Sequence, residues 1–148
     1  MLWQGQEFCE NYWIPPEGLG RVLLLRPVRW DYFYDDIGKS TVGLTRSLLQ
    51  IRRQNEEFRS GEHFFYNEFP RYQSRGLLLF SRYIGNRFSL IALNFSDSKQ
   101  TVPFWFPIAG NYVEQLHRQP ADSLQSVPAL TEISLRIPGN YGRVWSLA

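Results

Sequence analysis

The stretch from Ser60 to Ala148 sets the tightest limit on the fold: short apolar runs separated by turn-forming pairs. Ile133, Leu135 and Ile137 alternate with Glu132, Ser134 and Arg136, the period of a strand buried on one face. Phe88, Leu90 and Ala92 oppose Ile91, Leu93 and Phe95, which predicts a strand covered on both faces. Leu77 to Phe80 is a continuous apolar run and reads as a central strand. Val102, Phe104 and Phe106 share a face, while Pro103 removes a donor from the opposite register and favours an edge. Tyr112 to His117 and Tyr141 to Leu147 complete the set. Gly85-Asn86, Gly110-Asn111 and Gly139-Asn140 supply turns at or near the junctions. Short strands joined by turns predict an antiparallel β-sandwich, so the chain is mainly β.

The remaining sequence reads differently. Large aromatics and turn-formers mix between Met1 and Asp36: Tyr12, Trp13, Pro15, Pro16, Gly18, Gly20, Pro27, Trp30, Tyr32, Phe33 and Tyr34. So many rings need a surface to pack on, which a long loop over the mouth of a barrel would have. The spacing predicts a helix from Ile37 to about Glu57, with Asp35 or Asp36 as its N-cap. Thr41, Leu44, Leu48 and Ile51 form its apolar stripe, and Arg52 and Arg53 suit its C-terminal dipole. The opening residues Met1-Leu-Trp-Gln-Gly-Gln-Glu-Phe8 look like a strand running into a glycine-containing loop with amide and carboxylate groups. An α/β barrel ends its strands in this way at the functional face. Two regions follow: residues 1–57 as the end of a (β/α)8 barrel (last strand, long loop, last helix), and 58–148 as an all-β domain.

Composition narrows the function classes. Of the 148 residues, 43% are hydrophobic and 20% charged, which describes a globular chain rather than a disordered one. A net charge of +2 from scattered basic residues gives no footprint for nucleic acid. Cys9 is the single cysteine, so no intrachain disulfide forms; this is compatible with a reducing, cytoplasmic setting. No run approaches the ~18 apolar residues of a membrane span. Neither Gly-x-Gly-x-x-Gly nor Gly-x-Ser-x-Gly occurs, and no cofactor is implied. His63 and His117 stand alone in strand-like stretches, far from Cys9, whereas zinc wants grouped ligands. Asp35-Asp36 reads as capping, because adjacent side chains point apart and no further oxygen ligands cluster nearby.

Three stretches in this order resemble the α-amylase superfamily of glycoside hydrolases, family 13. Met1 to Phe8 is similar to the eighth barrel strand and its exit, where the family has an apolar run and then Gly-x-Glu-Phe. Asp35 to Glu57, with Ile51-Arg-Arg-Gln54, looks like the eighth barrel helix. Phe88-Ser-Leu-Ile-Ala-Leu-Asn-Phe-Ser96 is similar to a strand of the family's C-terminal β domain. Cys9 departs from the glycine that relatives commonly place after Glu-Phe.

The resemblance implies retaining hydrolysis or transfer at α-glucosidic bonds in a parent enzyme. It also implies that this chain is a C-terminal portion, because no position matches the family's nucleophile, acid/base or supporting aspartate. Retaining cleavage needs two carboxyl groups about 5–5.5 Å apart, and none of the chain's 14 carboxylates sits at a pair of converging strand ends. The chain alone is therefore expected to be inactive.

Glu7 could touch substrate, against a structural role in bonding loop backbone. Tyr12, Trp13 and Trp30 are the loop rings best suited to stack on sugar, with Trp105 and Tyr112 their counterparts on the sandwich. The partners implied are α-glucan and the missing barrel portion. A stand-alone α-glucan-binding module is the rival reading; a structural domain, dimeric through an exposed barrel remnant, is the third.

Overall fold

The computed structural model describes residues 5–11, 16–19 and 27–148. The strand expected at Met1 to Trp3 lies outside them, as do Tyr12 and Trp13. Two compact units divide the chain, Met1–Leu49 and Gln50–Ala148. Among the described residues no helix is long and apolar enough to cross a membrane.

The second unit is a sandwich-like pair of antiparallel sheets. Its strands are β1 (Glu62–Phe65), β2 (Leu77–Ile84), β3 (Arg87–Asn94), β4 (Gln100–Trp105), β5 (Gly110–Glu114), β6 (Leu124–Val127), β7 (Glu132–Ile137) and β8 (Tyr141–Leu147). A six-stranded sheet runs β1-β2-β3-β8-β5-β6, and β4 pairs with β7 in a second, two-stranded sheet. Register places Leu90 opposite Trp145 and Ile91 opposite Val144. Successive residues therefore serve opposite faces of the large sheet. Leu79, Leu90, Trp145 and Tyr112 from the large sheet meet Val102, Phe104, Leu135 and Ile137 from the small one in the main core. On the other face Ile91 and Val144 join Ile51 in a smaller cluster, with Phe58 packed against it.

The expected alternation appears where both partners are present. Leu135 and Ile137 are buried while Glu132, Ser134 and Arg136 are exposed. Val102, Phe104 and Phe106 all face the core. The β3 pattern breaks at Phe95, which is 68% exposed because the strand ends one residue earlier. At the β2–β3 hairpin Gly85 has φ 54° at the first turn position, where a type II′ turn requires a positive value.

The edge predicted at Pro103 is real, and the neighbouring helix Pro70–Gln73 covers it. The Tyr72 hydroxyl donates to the Pro103 carbonyl at 2.8 Å, and the Arg75 guanidinium donates to the Thr101 carbonyl at 2.8 Å. Carbonyls that would otherwise present an open edge are thereby occupied.

Three expectations need correction. The long helix spans Asp36–Gln54 rather than reaching Glu57. Asn55 turns its side-chain amide back onto the Ile51 carbonyl at 2.8 Å, and Arg59 donates to the Arg52 carbonyl at 2.9 Å. These bonds finish the helix, and a separate turn forms at Glu57–Ser60. Second, Leu48 is 46% exposed; in the first unit the buried face of the helix is Gly38 and Val42, with Thr41 and Leu44 half-buried. Third, the strand begun at Tyr112 stops at Glu114 instead of His117. The Glu114 carboxylate accepts the backbone N–H groups of Leu116, His117 and Arg118, which curls the chain out of the sheet. The N-terminal cap of the long helix is Asp35, whose Oδ1 accepts the Gly38 N–H at 2.6 Å.

Candidate functional site

Among the described residues, each unit carries a group of rings that includes an exposed tryptophan, Trp30 in the first and Trp105 in the second. In the first unit the 3-10 turn Gln6–Phe8 buries Phe8 under Trp30 and Phe33, with ring centroids 6.1 and 5.9 Å away. Trp30 opens the short helix Trp30–Tyr34 and remains 60% exposed. Glu7 is half-buried beside Phe8 and has no hydrogen bond or ion pair among the described residues. The carboxylate that bonds loop backbone here is Glu10, which accepts the Arg29 N–H at 2.8 Å. The Arg29 guanidinium donates to both Asp31 oxygens, at 3.0 and 2.6 Å, and holds that carboxyl below its usual range.

In the second unit a cleft of about 190 Å³ is lined by Tyr66, Phe69, Arg71, Tyr72, Phe104 and Trp105. Its walls follow from the fold. Phe104 faces the core and Trp105, the next residue along β4, is turned outward and 37% exposed. Pro70 starts the helix that brings Phe69, Arg71 and Tyr72 alongside. Tyr66 stands edge-on to Phe104 at 5.1 Å. A second recess of about 310 Å³, lined in part by Phe64, Tyr83 and Ile108, also has Tyr66 in its wall. Burial raises the Tyr66 phenol despite its bond to Ser81, and burial raises Tyr72 as well, although the Arg71 charge opposes it.

Trp105 was legible as a sandwich ring, and it lines the cleft. Tyr112 was not: it is fully buried, packed 4.2 Å from the Phe106 ring, with its hydroxyl donating to the Ile108 carbonyl at 2.7 Å. It is a core residue, and no sugar reaches it. Phe69, Arg71 and Tyr66 escaped sequence reasoning because β1 is exposed at every position and the following helix is only four residues long. Neither has a period to detect.

Two buried carboxylates were also missed. Glu114 is fully buried; one oxygen accepts the Leu116 and Val144 N–H groups at 3.1 and 3.2 Å, the other those of His117 and Arg118 at 2.7 and 3.2 Å. Glu57 is 2% exposed and accepts the Ser89 hydroxyl at 2.5 Å, while its other oxygen has no partner among the described residues. Ser89 and Ser146 are cross-strand partners whose hydroxyls lie 2.7 Å apart.

His117 does not stand alone, as its sequence context suggested. Ligand atoms of Glu114, His117 and Asp122 lie within 4.8 Å of one another. The group is nonetheless poorly suited to a cation. Both Glu114 oxygens already hold backbone N–H groups, and Asp122 pairs with the Arg143 guanidinium. His63 lies in the exposed strand β1 against the Phe65 ring, and Cys9 contacts Thr41.

No family model matches the chain, and no curated protein matches it in sequence. Solved structures do. An α-amylase from Anoxybacillus is similar over 98% of this chain, with a TM-score of 0.69 and 18% identity. An α-amylase from Geobacillus thermoleovorans complexed with acarbose is similar over 77%, with a TM-score of 0.57 and 14% identity. A single-residue variant of AmyP in complex with maltotriose is similar over 76%, with a TM-score of 0.61 and 9% identity. At these identities the likeness concerns the fold. The matched regions are 28%, 23% and 22% of those chains, so this chain spans about a quarter of their length.

Proposed function

We propose that this chain is the C-terminal, non-catalytic portion of an α-glucan-active glycoside hydrolase or transglycosidase. In this reading it carries the last strand and helix of the barrel together with the β domain, and the β domain stabilises the barrel. The observation that carries the proposal is the match of 98% of this chain to 28% of an α-amylase. Such proportions suit a segment of an enzyme better than a whole one. The order of the motifs agrees: a Gly-x-Glu-Phe turn, a long helix with Arg52 and Arg53 in its last turn, and then a sandwich. Trp30, exposed and braced on Phe8 beside Glu7, is the described loop ring best placed to meet a glucan; Tyr12 and Trp13 belong to the same proposal.

The coding DNA upstream of Met1 tests this reading. It is expected to continue in frame as alternating strand and helix patterns, with acidic residues after strand ends. An upstream sequence with no such frame would contradict it.

A further inference from the structure

The cleft beside Trp105 has polar groups of one dominant kind. The Arg71 guanidinium carbon lies 5.0 Å from the Trp105 ring centroid, 5.3 Å from Phe69 and 5.8 Å from Tyr72. Aromatic faces hold this cation, and among the described residues no carboxylate pairs with it and no oxygen accepts its N–H groups. The Trp105 indole N–H also has no acceptor among the described residues. The nearby carbonyls of Thr101 and Pro103 already hold Arg75 and Tyr72. Flat carbon surface and unspent N–H donors therefore share one opening.

The complement of such a surface has a flat carbon–hydrogen face and a rim of oxygen lone pairs. A pyranose ring has both. A purely apolar partner would cover Arg71 without giving it an acceptor and leave a buried cation unpaired, which is unfavourable. A wet sugar rim carries no such penalty, because its hydroxyls and water share the donors. Size adds a further limit. The cleft of about 190 Å³ is smaller than the ~300–1,000 Å³ of typical pockets for drug-sized ligands. A single sugar unit meets this dimension. Tyr66 also lines a second recess of about 310 Å³.

We propose that the cleft binds a sugar unit of an α-glucan, which lies along the exposed edge of Trp105 and accepts hydrogen bonds from Arg71. The ring and donor chemistry selects a pyranose; the α-glucosidic linkage rests on the proposed function above.

Calorimetric titration of the full chain with maltoheptaose tests the site in the wild type and in Trp105→Ala, Arg71→Ala and Phe95→Ala. Phe95 is 68% exposed and lies outside the cleft, so it is the control ring. The wild type and Phe95→Ala are expected to bind alike, Trp105→Ala to bind about tenfold more weakly, and Arg71→Ala about threefold more weakly or worse. Arg71 is exposed, so its replacement leaves the fold intact and carries the test alone if Trp105→Ala does not fold. Absence of saturable maltoheptaose binding overturns the proposal. Wild-type affinity in the folded cleft variants overturns it too, and leaves a glucan site elsewhere. A wild-type dimer that Arg71→Ala dissolves in sedimentation assigns the cleft to a second copy and also overturns it. The upstream coding sequence judges the parent architecture independently of all these results.

Discussion

Glu114 and Val144 lie on neighbouring strands, and a side chain adds to the backbone bond that joins them there: the Glu114 carboxylate accepts the Val144 backbone N–H at 3.2 Å, while the Val144 carbonyl accepts the Gln115 N–H at 2.7 Å. The same carboxylate takes three further N–H groups from the turn that follows β5. One buried anion thus ends a strand, fixes a turn in which Arg118 adopts φ 57°, and ties both to β8.

Replacing Glu114 by Ala leaves these buried donors without an acceptor. The expected cost is about 3 kcal/mol or more of unfolding free energy. Glu114→Gln is expected to destabilise as well, because an amide nitrogen then faces donors. Urea denaturation checks both, and a loss below about 1 kcal/mol in the Ala variant would contradict the role.

Glu57 makes the opposite prediction. Its buried carboxylate has one hydroxyl donor and an oxygen with no partner among the described residues. Glu57→Gln keeps an oxygen for Ser89 and removes a poorly compensated charge. At neutral pH the variant is expected to match or exceed the wild type in stability, by up to about 1 kcal/mol. A marked loss in the same urea titration would show that the charge itself is needed.

The bond from Tyr72 to Pro103 fastens a four-residue helix to an edge strand. Tyr72→Phe keeps the buried ring and loses only the hydroxyl. The expected cost is about 1 kcal/mol, with faster amide exchange in the helix Pro70–Gln73. Exchange mass spectrometry with unchanged protection there would contradict the fastening.

Tyr112 sets an alkaline limit. Burial pushes its phenol up to about 12. Below the ordinary tyrosine range both folded and unfolded states hold this proton, and the contribution to stability is unaffected. Between about pH 10 and 12 the unfolded chain gives the proton up first, so stability falls as pH rises. Tyr66 and Tyr72 shift in the same direction, again chiefly through burial. Thermal unfolding from pH 8 to 11 is expected to show Tm declining above about pH 10. A smaller decline is expected in Tyr112→Phe, and an identical one would contradict the assignment.

The strands were legible where the chain has two chemically different faces. Glu132–Ile137 stands out because buried and exposed positions alternate there, whereas Tyr141–Leu147 is covered on both faces, Trp145 in the main core and Val144 in the smaller cluster. β1 and β6 show neither pattern: β1 is exposed at every position and only Val127 is buried in β6. The sites were less legible for a related reason. Trp105 is visible as a ring, but what makes its surroundings a cleft is Arg71, brought there by tertiary packing from 34 positions away. The buried carboxylates left no local trace, since nothing near Glu57 or Glu114 distinguishes them from surface acids until Ser89 or Val144 folds against them. The aromatic segment before Asp36 suggested a loop seeking a surface, and its described part confirms only the packing of Phe8 with Trp30 and Phe33.

We propose above that this chain is the non-catalytic portion of a glucan-active enzyme, which on its own turns over no glucan. Reducing-sugar release from starch and maltoheptaose by the purified chain, free of contaminating amylase, tests it most directly. A rate indistinguishable from buffer is expected. Steady turnover that follows the chain through a further purification step and rises in proportion to its concentration would contradict it.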